Sequence, residues 1–284
     1  MNLKRFNWEP YLLLLPSILY LALFFAWPMA QSFELAFRTD DGQLTLAHMQ
    51  RMFNDVGFTK ALRNTVMLII AIVPLQFILA LIMALLMMER LRGSDMLVYI
   101  YSIPLAISDL AAGIIWFSIF TERGYLNSFL YSLGVIDKPF LFLNYQTKWP
   151  LVAIVLAEVW RATSIVFVVL VAGLQSIPRD YVEAAEVFGA GWFARVWRVI
   201  LPLLRPSIQT ALILRTILAV QVFAVVSAIA GRGMTVLANE AYLWYREYRN
   251  PHLAATYAMF ILTISLITAF IYLRALRTKE EMIL

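Results

Sequence analysis

Four charged residues lie deep within the apolar runs of this 284-residue sequence, where a bilayer makes charge costly. They are Asp109, Glu158, Arg161 and Arg215. A helical rise of about 1.5 Å per residue puts Asp109 roughly 18 Å, and Arg215 roughly 14 Å, into a hydrocarbon core about 30 Å thick. Arg161 falls at a similar depth, one helical turn from Glu158 on the same face. This pattern predicts either a salt-bridge network between helices or groups that hydrogen-bond a polar solute inside the membrane.

Other polar and aromatic side chains on these runs could also contact a solute. The candidate substrate path consists of Asp109, Trp116, Glu158, Arg161, Ser164 and Gln221. Ser164 and Gln221 are equally suited to hydrogen bonds between helices, and Trp116 is suited to packing. Each position therefore keeps a structural alternative beside the functional one.

The residue sets of the common catalytic classes are absent from the sequence. It has no cysteine, which excludes disulfides and zinc–thiolate sites, and only two histidines, His48 and His252, for which we expect structural roles. No G-x-x-x-x-G-K-[ST], G-x-S-x-G or H-E-x-x-H motif occurs. We therefore expect no enzyme activity, no metal and no cofactor in this chain. The net charge of +5 fits basic residues at membrane edges and does not indicate nucleic-acid binding.

Composition and run length indicate an all-α integral membrane protein. Hydrophobic residues make up 62% of the chain and charged residues 14%, whereas charged residues are about a quarter of a soluble domain. Each run is close to the roughly 20 residues that cross a bilayer as a helix. The six predicted spans are 10–37, 64–88, 97–120, 150–176, 206–230 and 253–276. We expect one transmembrane domain over 1–284, both termini on one side, and kinks at the prolines in the spans.

One segment between the fourth and fifth runs cannot lie in lipid, because charged residues recur every few positions along it. Residues 182–188 follow a helical register, and Gly189 begins a small-residue turn suited to a C-cap and a sharp bend. A second helix is predicted over residues 192–200. Pro202 and Pro206 then predict that this helix stops or kinks where the chain re-enters the bilayer.

This segment resembles the EAA loop of ABC importer permeases. Glu183-Ala184-Ala185 is followed after three residues by Gly189, and after nine more by Val199-Ile200-Leu201-Pro202. In that family the loop, here 177–205, is the cytoplasmic coupling helix that docks in a cleft of the ATP-hydrolysing subunit. The resemblance implies that the residues coupling this chain to an ATPase are Glu183, Ala184, Ala185, Gly189, Leu201 and Pro202.

Further stretches resemble the carbohydrate branch of these importers, whose members handle maltose, trehalose or glycerol phosphate. They are Asn64-Thr65, 104–116, 124–127, Glu158-Val159-Trp160 and 174–178. The chain departs from the branch at Phe188, where Asp usually precedes the glycine, and at Ala224 where many relatives have Phe-Asp. It also has Gly231-Arg232-Gly233 in place of a Gly-Gly-Pro turn. These departures leave the identity of the solute open.

The resemblance implies a type I ABC importer permease fold that moves a sugar or sugar derivative by alternating access. The implied partners are a second permease subunit, two ATPase subunits that bind ATP and Mg, and an extracytoplasmic sugar-binding protein. The second permease is expected to be a different chain, with a second copy of this chain as the alternative. Lys and Arg are nearly balanced across the membrane, so the resemblance sets the orientation: a multi-pass cell-membrane protein with 177–205 and both termini in the cytoplasm. The alternative is a secondary transporter or channel for a small polar solute, working without an ATPase.

Overall fold

The computed structural model describes residues 9–88 and 94–276, and the regular elements there are helices apart from one β-bridge between Arg38 and Leu44. The helices are α1 Leu12–Phe37, α2 Ala47–Asn54, α3 Val56–Met88, α4 Ser94–Ser102, α5 Asp109–Phe120, α6 Tyr125–Ser132, α7 Trp149–Gln175, α8 Arg179–Val187, α9 Trp192–Val220, α10 Ala224–Ala230, α11 Leu237–Arg246 and α12 Pro251–Ala275. The predicted cytoplasmic positions of residues 1–8, 89–93 and 277–284 fall outside the described residues.

Five described helices are long and apolar enough to cross a bilayer, namely α1, α3, α7, α9 and α12. A sixth span is obtained when Val98–Ala106 and Asp109–Ser132, which meet at an angle of 102°, are counted together. When the bent pair is counted as one span, the prediction of a helical membrane protein with six spans is confirmed. The boundaries predicted for the first, fourth and last spans agree with the helices to within a few residues, whereas α3 begins at Val56, ahead of the predicted residue 64.

The third span is broken, contrary to the continuous helix assumed for residues 97–120. Pro104 lies in a 3₁₀ turn, Ile103–Ala106, and the chain then becomes extended at Ile107 and Ser108. Ser108 caps the next helix, because its hydroxyl oxygen accepts a hydrogen bond from the Ala111 N–H at 3.2 Å. The depth calculated for Asp109 from an unbroken helical rise is therefore wrong, and Asp109 is instead the first residue of α5.

The fifth span also differs from the predicted range of 206–230. Helix α9 begins at Trp192 and runs through Pro202 and Pro206 as far as Val220, and 224–230 form the separate helix α10. A π-turn, Val196–Ile200, ends two residues before Pro202. Such local widening compensates for the N–H that proline lacks, which is why the helix continues past Pro202, where the sequence predicted a stop or a kink. The end of the 177–205 segment is thus part of the same helix as the fifth span.

One compact unit consists of the described residues up to Asp55 together with Ala241–Phe260. Its small core contains Ala36, Ala255 and Met259. The His252 ring bridges the Leu35 carbonyl, 2.7 Å from Nδ1, and the Asp40 carboxylate, 3.0 Å from Nε2. His48 stacks on the same ring with centroids 4.8 Å apart. Both histidines therefore have the structural roles expected of them.

The other unit runs from Val56 to Glu240 and continues from Ile261, and its centre is formed by α3, α7 and α9. Close approach of α7 and α9 depends on Gly173, because a Cβ there would collide with the Ser207 side chain. Small residues allow such contacts between membrane helices. Two apolar clusters fill this unit, one containing Ile72 and Ala157 and the other Ala80 and Val166.

Candidate functional site

A layer of polar side chains separates these two apolar clusters on α3, α7 and α9. Arg215 on α9 and Glu158 on α7 are each 1% exposed, and their side chains form an ion pair with Nη2 and Oε2 2.8 Å apart. Gln76 on α3 completes the layer: its Oε1 accepts a hydrogen bond from Arg215 Nε, and its Nε2 donates to the Glu158 backbone carbonyl at 2.7 Å. The three helices are thus joined by one hydrogen-bonded group.

Arg161 extends this layer towards the N-terminus of α5. Its Nη2 lies 3.7 Å from the Glu158 carboxylate, one turn away on α7, and its Nη1 lies 2.9 Å from Asp109 Oδ1. Asp109 is 54% exposed at its side chain, so the layer ends at an open surface. The Arg161 Nε–H is buried and has no acceptor among the described residues. A donor of this kind is costly unless water, solute or another chain accepts from it.

The charges in the layer balance, with two guanidiniums opposite two carboxylates. Burial removes the water that would otherwise solvate Glu158 and Arg215, so each carries a large desolvation cost that the other offsets. Arg161 and Asp109 are a second pair at the exposed edge. The group can therefore hold charge inside a membrane and still offer hydrogen-bonding atoms at one end.

The remaining members of the candidate substrate path do not join this layer. Trp116 packs within the first apolar cluster and stacks on Phe120 at 5.6 Å between ring centroids. Ser164 is buried and its hydroxyl donates to the Arg161 carbonyl in its own helix at 2.8 Å. Gln221 is exposed at the C-terminus of α9. These contacts are local packing and helix contacts, and substrate contact at the three positions stays a prediction.

Gln76 was missed from the sequence, although an amide in an otherwise apolar membrane run is a recognisable signal. Arg215 was identified as an intramembrane charge but was not included in the substrate path. Arg215 donates to the Glu158 carboxylate, and Gln76 donates to the Glu158 backbone carbonyl and accepts from Arg215. Among the described residues, no group of three or more His, Cys, Asp or Glu side chains could hold a metal ion.

The predicted helix–turn–helix of the EAA-like loop is confirmed. Helix α8 ends in a Schellman motif, in which the Gly189 N–H donates to Glu186 O at 2.8 Å and the Ala190 N–H to Ala185 O at 2.9 Å. Gly189 has φ +78°, a conformation that favours glycine. The Glu186 carboxylate pairs with Arg195, which joins α8 to the start of α9. The turn is therefore held by backbone hydrogen bonds and by an ion pair between side chains.

The loop exposes apolar and acidic groups together. The most exposed apolar side chains are those of Val187, Phe188, Phe193 and Trp197, and Phe188 is 90% exposed. Glu183 is also exposed, and within the described ranges it forms no ion pair, in contrast to Glu186. A patch of exposed aromatic residues of this kind is typical of a surface that contacts another protein or a membrane. The aromatic Phe188 occupies the position at which an aspartate was expected from the resemblance.

The sequence of this chain is similar to those of known transport permeases. Residues 76–278 match the family model described as binding-protein-dependent transport system inner membrane component. The sulfoquinovosyl glycerol transport system permease protein SmoG of Agrobacterium fabrum is 31% identical, over 95% of this chain and 90% of that protein. The trehalose/maltose transport system permease protein MalF of Thermococcus litoralis is also 31% identical, over 95% and 94%.

A chain in the crystal structure of a bacterial alginate ABC transporter, in complex with an alginate pentasaccharide-bound periplasmic protein, has the same fold. The TM-score is 0.77 at 20% identity, and the match covers 95% of this chain and 94% of that one. A second structure, of an amino acid ABC transporter, matches at a TM-score of 0.53 and 17% identity over 81% and 96%. The predicted type I importer permease fold is thereby confirmed, and the chain belongs to the family of binding-protein-dependent transport system inner membrane components, the permeases that its EAA loop predicted.

Proposed function

We propose that this chain is the membrane-spanning permease subunit of an ATP-driven importer for a sugar or sugar derivative. The observation that carries the proposal is the EAA-like loop, whose glycine-capped helix presents the exposed side chains of Phe188 and Glu183 at the start of a span. The relatives transport sulfoquinovosyl glycerol or trehalose and maltose, as their names state. Those solutes share hydroxyl-rich, hydrogen-bonding chemistry that the exposed edge of the polar layer can meet.

Coupling takes place through the loop, with ATP and Mg bound by separate ATPase subunits. Glu183, Ala184 and Ala185 lie on the docking helix α8, Gly189 caps it, and Leu201 and Pro202 lie in α9 after the turn. Movement of a docked ATPase passes directly into the membrane, because α9 is continuous from Trp192. The chain itself has no phosphate-binding loop and acts as a transport subunit.

The complete transporter contains a second permease subunit, of different sequence, two ATPase subunits and an extracytoplasmic sugar-binding protein. The open edge of the polar layer supports the presence of a second permease subunit, since Asp109 and the buried Arg161 Nε–H need further partners once water is excluded. The chain forms one permease domain in the inner or plasma membrane, with both termini and the coupling loop in the cytoplasm.

Transport should require the whole assembly. We expect the purified chain alone to show no ATP hydrolysis and no saturable uptake in proteoliposomes, and the complete complex to show both when the binding protein and ATP are present. The control is the complex with an ATPase subunit that binds but does not hydrolyse ATP. Uptake by the lone chain driven by an ion gradient would instead support a secondary transporter.

Asp109 is expected to affect transport more than stability. Because this carboxylate is half exposed, Asp109→Asn should change the unfolding free energy by less than about 1 kcal/mol. Loss of a charge-assisted hydrogen bond to a solute should lower kcat/KM for uptake by about tenfold or more. Thermal unfolding and uptake are measured on the same purified complex, with Glu122→Gln, an exposed carboxylate beyond the end of α5, as the control. Loss of assembly with Asp109→Asn would assign this residue to the structural network.

A further inference from the structure

A cavity of about 630 Å³ opens at the end of α3 and α7 opposite the coupling loop. Met67 of α3 and Leu151 of α7 are the lining residues furthest along their helices. Gln76 and Glu158 of the polar layer follow on the same two helices, about 10–14 Å further along by helical rise. In the proposed orientation the cavity faces the extracytoplasmic side and lies above the polar layer.

The charge lining this cavity is strongly one-sided. Its cations are Lys60, Arg63, Lys148 and Arg232, whereas Glu240 is the only carboxylate among the described lining residues. Within the described ranges Lys60, Arg63 and Lys148 form no ion pair. Such a concave cationic surface concentrates anions and attracts them electrostatically.

The cavity wall also contains an aromatic ring and a backbone segment that is held by hydrogen bonds from side chains. The Tyr145 ring lies directly against Gly233, where a Cβ would collide with it, so the glycine allows the ring to lie in the cavity wall. Asn64 holds the same wall by donating to Thr235 O at 2.8 Å, and Thr65 accepts from the Leu237 N–H at 3.0 Å. The Asn64-Thr65 pair therefore has a structural function, which is to preorganise the cavity.

We infer that this cavity receives an acidic saccharide, with its carboxylate, sulfonate or phosphate bound by Lys60, Arg63 and Lys148 and a sugar ring against Tyr145. The inference rests on the proposed function and narrows its substrate class from sugars in general to anionic ones. Arg232 and Gly233 belong to the Gly231–Gly233 stretch at which the chain departs from the carbohydrate branch, and both line the cavity. The departure thus supplies one cation and the space for the aromatic ring.

The test measures uptake by the complete transporter, with its binding protein and ATP, from a panel of neutral and acidic saccharides. The neutral probes are maltose, trehalose and raffinose, and the acidic probes are trigalacturonate, sulfoquinovose and glucose 6-phosphate. We expect uptake of at least one acidic probe and a rise in its KM with salt, since salt screens exposed charges. Lys60→Gln with Lys148→Gln should raise that KM by about tenfold or more, because both cations contact the anion.

The matched control is Arg123→Gln with Lys138→Gln, which removes two exposed cations outside the cavity lining and should leave KM unchanged. Size-exclusion chromatography verifies that both double variants assemble. Uptake of neutral probes only, or acidic uptake insensitive to the cavity variant, would overturn the inference while the proposed function stands. An equal loss of binding-protein-stimulated ATPase with neutral and acidic probes would make the cavity a docking surface and also overturn it. No ATP-dependent uptake of any probe would count against the proposed function itself.

Discussion

Arg215→Met is expected to lower the unfolding free energy of the permease by about 3–5 kcal/mol, because it leaves the Glu158 carboxylate buried without its main partner. The same substitution removes the donor to Gln76, so an amide oxygen in the layer also loses its hydrogen bond. Denaturant unfolding of the purified complex in detergent measures the change. The control is Arg205→Met, an exposed arginine on the same helix, which should alter stability by no more than about 0.5 kcal/mol.

A double variant separates loss of charge balance from loss of packing. Combining Arg215→Met with Glu158→Gln removes both charges of the buried pair, while Arg161 keeps its partner Asp109. Replacing both members of a buried ion pair is often close to neutral, so the double variant should recover much of the lost stability. If Arg215→Met alone unfolded no more easily than Arg205→Met, the layer would not be the structural centre that its burial indicates.

Gly189→Val is expected to abolish coupling, with transport reduced about tenfold or more and basal ATP hydrolysis retained. A β-branched residue at φ +78° is strained, and such strain costs about 1–3 kcal/mol and would displace the end of α8. Among the described residues, no atom beyond the adjoining backbone lies within 4 Å of the position that a Cβ would take, so the effect arises from the backbone conformation and not from a clash. The measurement is the number of ATP molecules hydrolysed per solute transported.

Gly134→Val provides a matched control for that strain. Gly134 has φ +69° and equally open space around its Cβ position, but it lies between α6 and α7, outside the coupling loop. The strain is therefore comparable and its location different, and we expect the ratio of ATP to solute to remain normal. A normal ratio for Gly189→Val as well would show that the loop does not transmit the ATPase movement.

The loop and the spans could be predicted because their signals are local. Gly189 after a short charged helix specifies a C-cap, and a run of apolar residues specifies a span whatever surrounds it. The break before Asp109 also had a local signal, since Ser108 is a good N-cap and Pro104 precedes it, but the unbroken apolar pattern outweighed both. The path of α9 through Pro202 could not be predicted, because the π-turn at Val196–Ile200 has no sequence signature.

The polar layer was predicted only in part. The prediction grouped Asp109, Glu158, Arg161 and Arg215, and all four belong to the layer, since charges inside a bilayer need partners. Which of these charges form pairs depends on the rotation of each helix about its own axis. Hydrophobic periodicity does not determine that rotation well in helices that are apolar on every side. For the same reason, Gln76 and Ser164 look alike in sequence, yet only Gln76 reaches the Glu158–Arg215 pair.

The position of the polar layer between two apolar clusters has a mechanical consequence. A slide of α9 by one helical turn, about 5.4 Å, would move the Arg215 guanidinium away from Glu158 and into hydrocarbon side chains. Sliding of α3, α7 and α9 along one another is therefore unfavourable, and the three helices should move together as one rigid body. Bending during a transport cycle should then occur at the ends of these helices, and the π-turn at Val196–Ile200 beside the EAA-like loop is one such place.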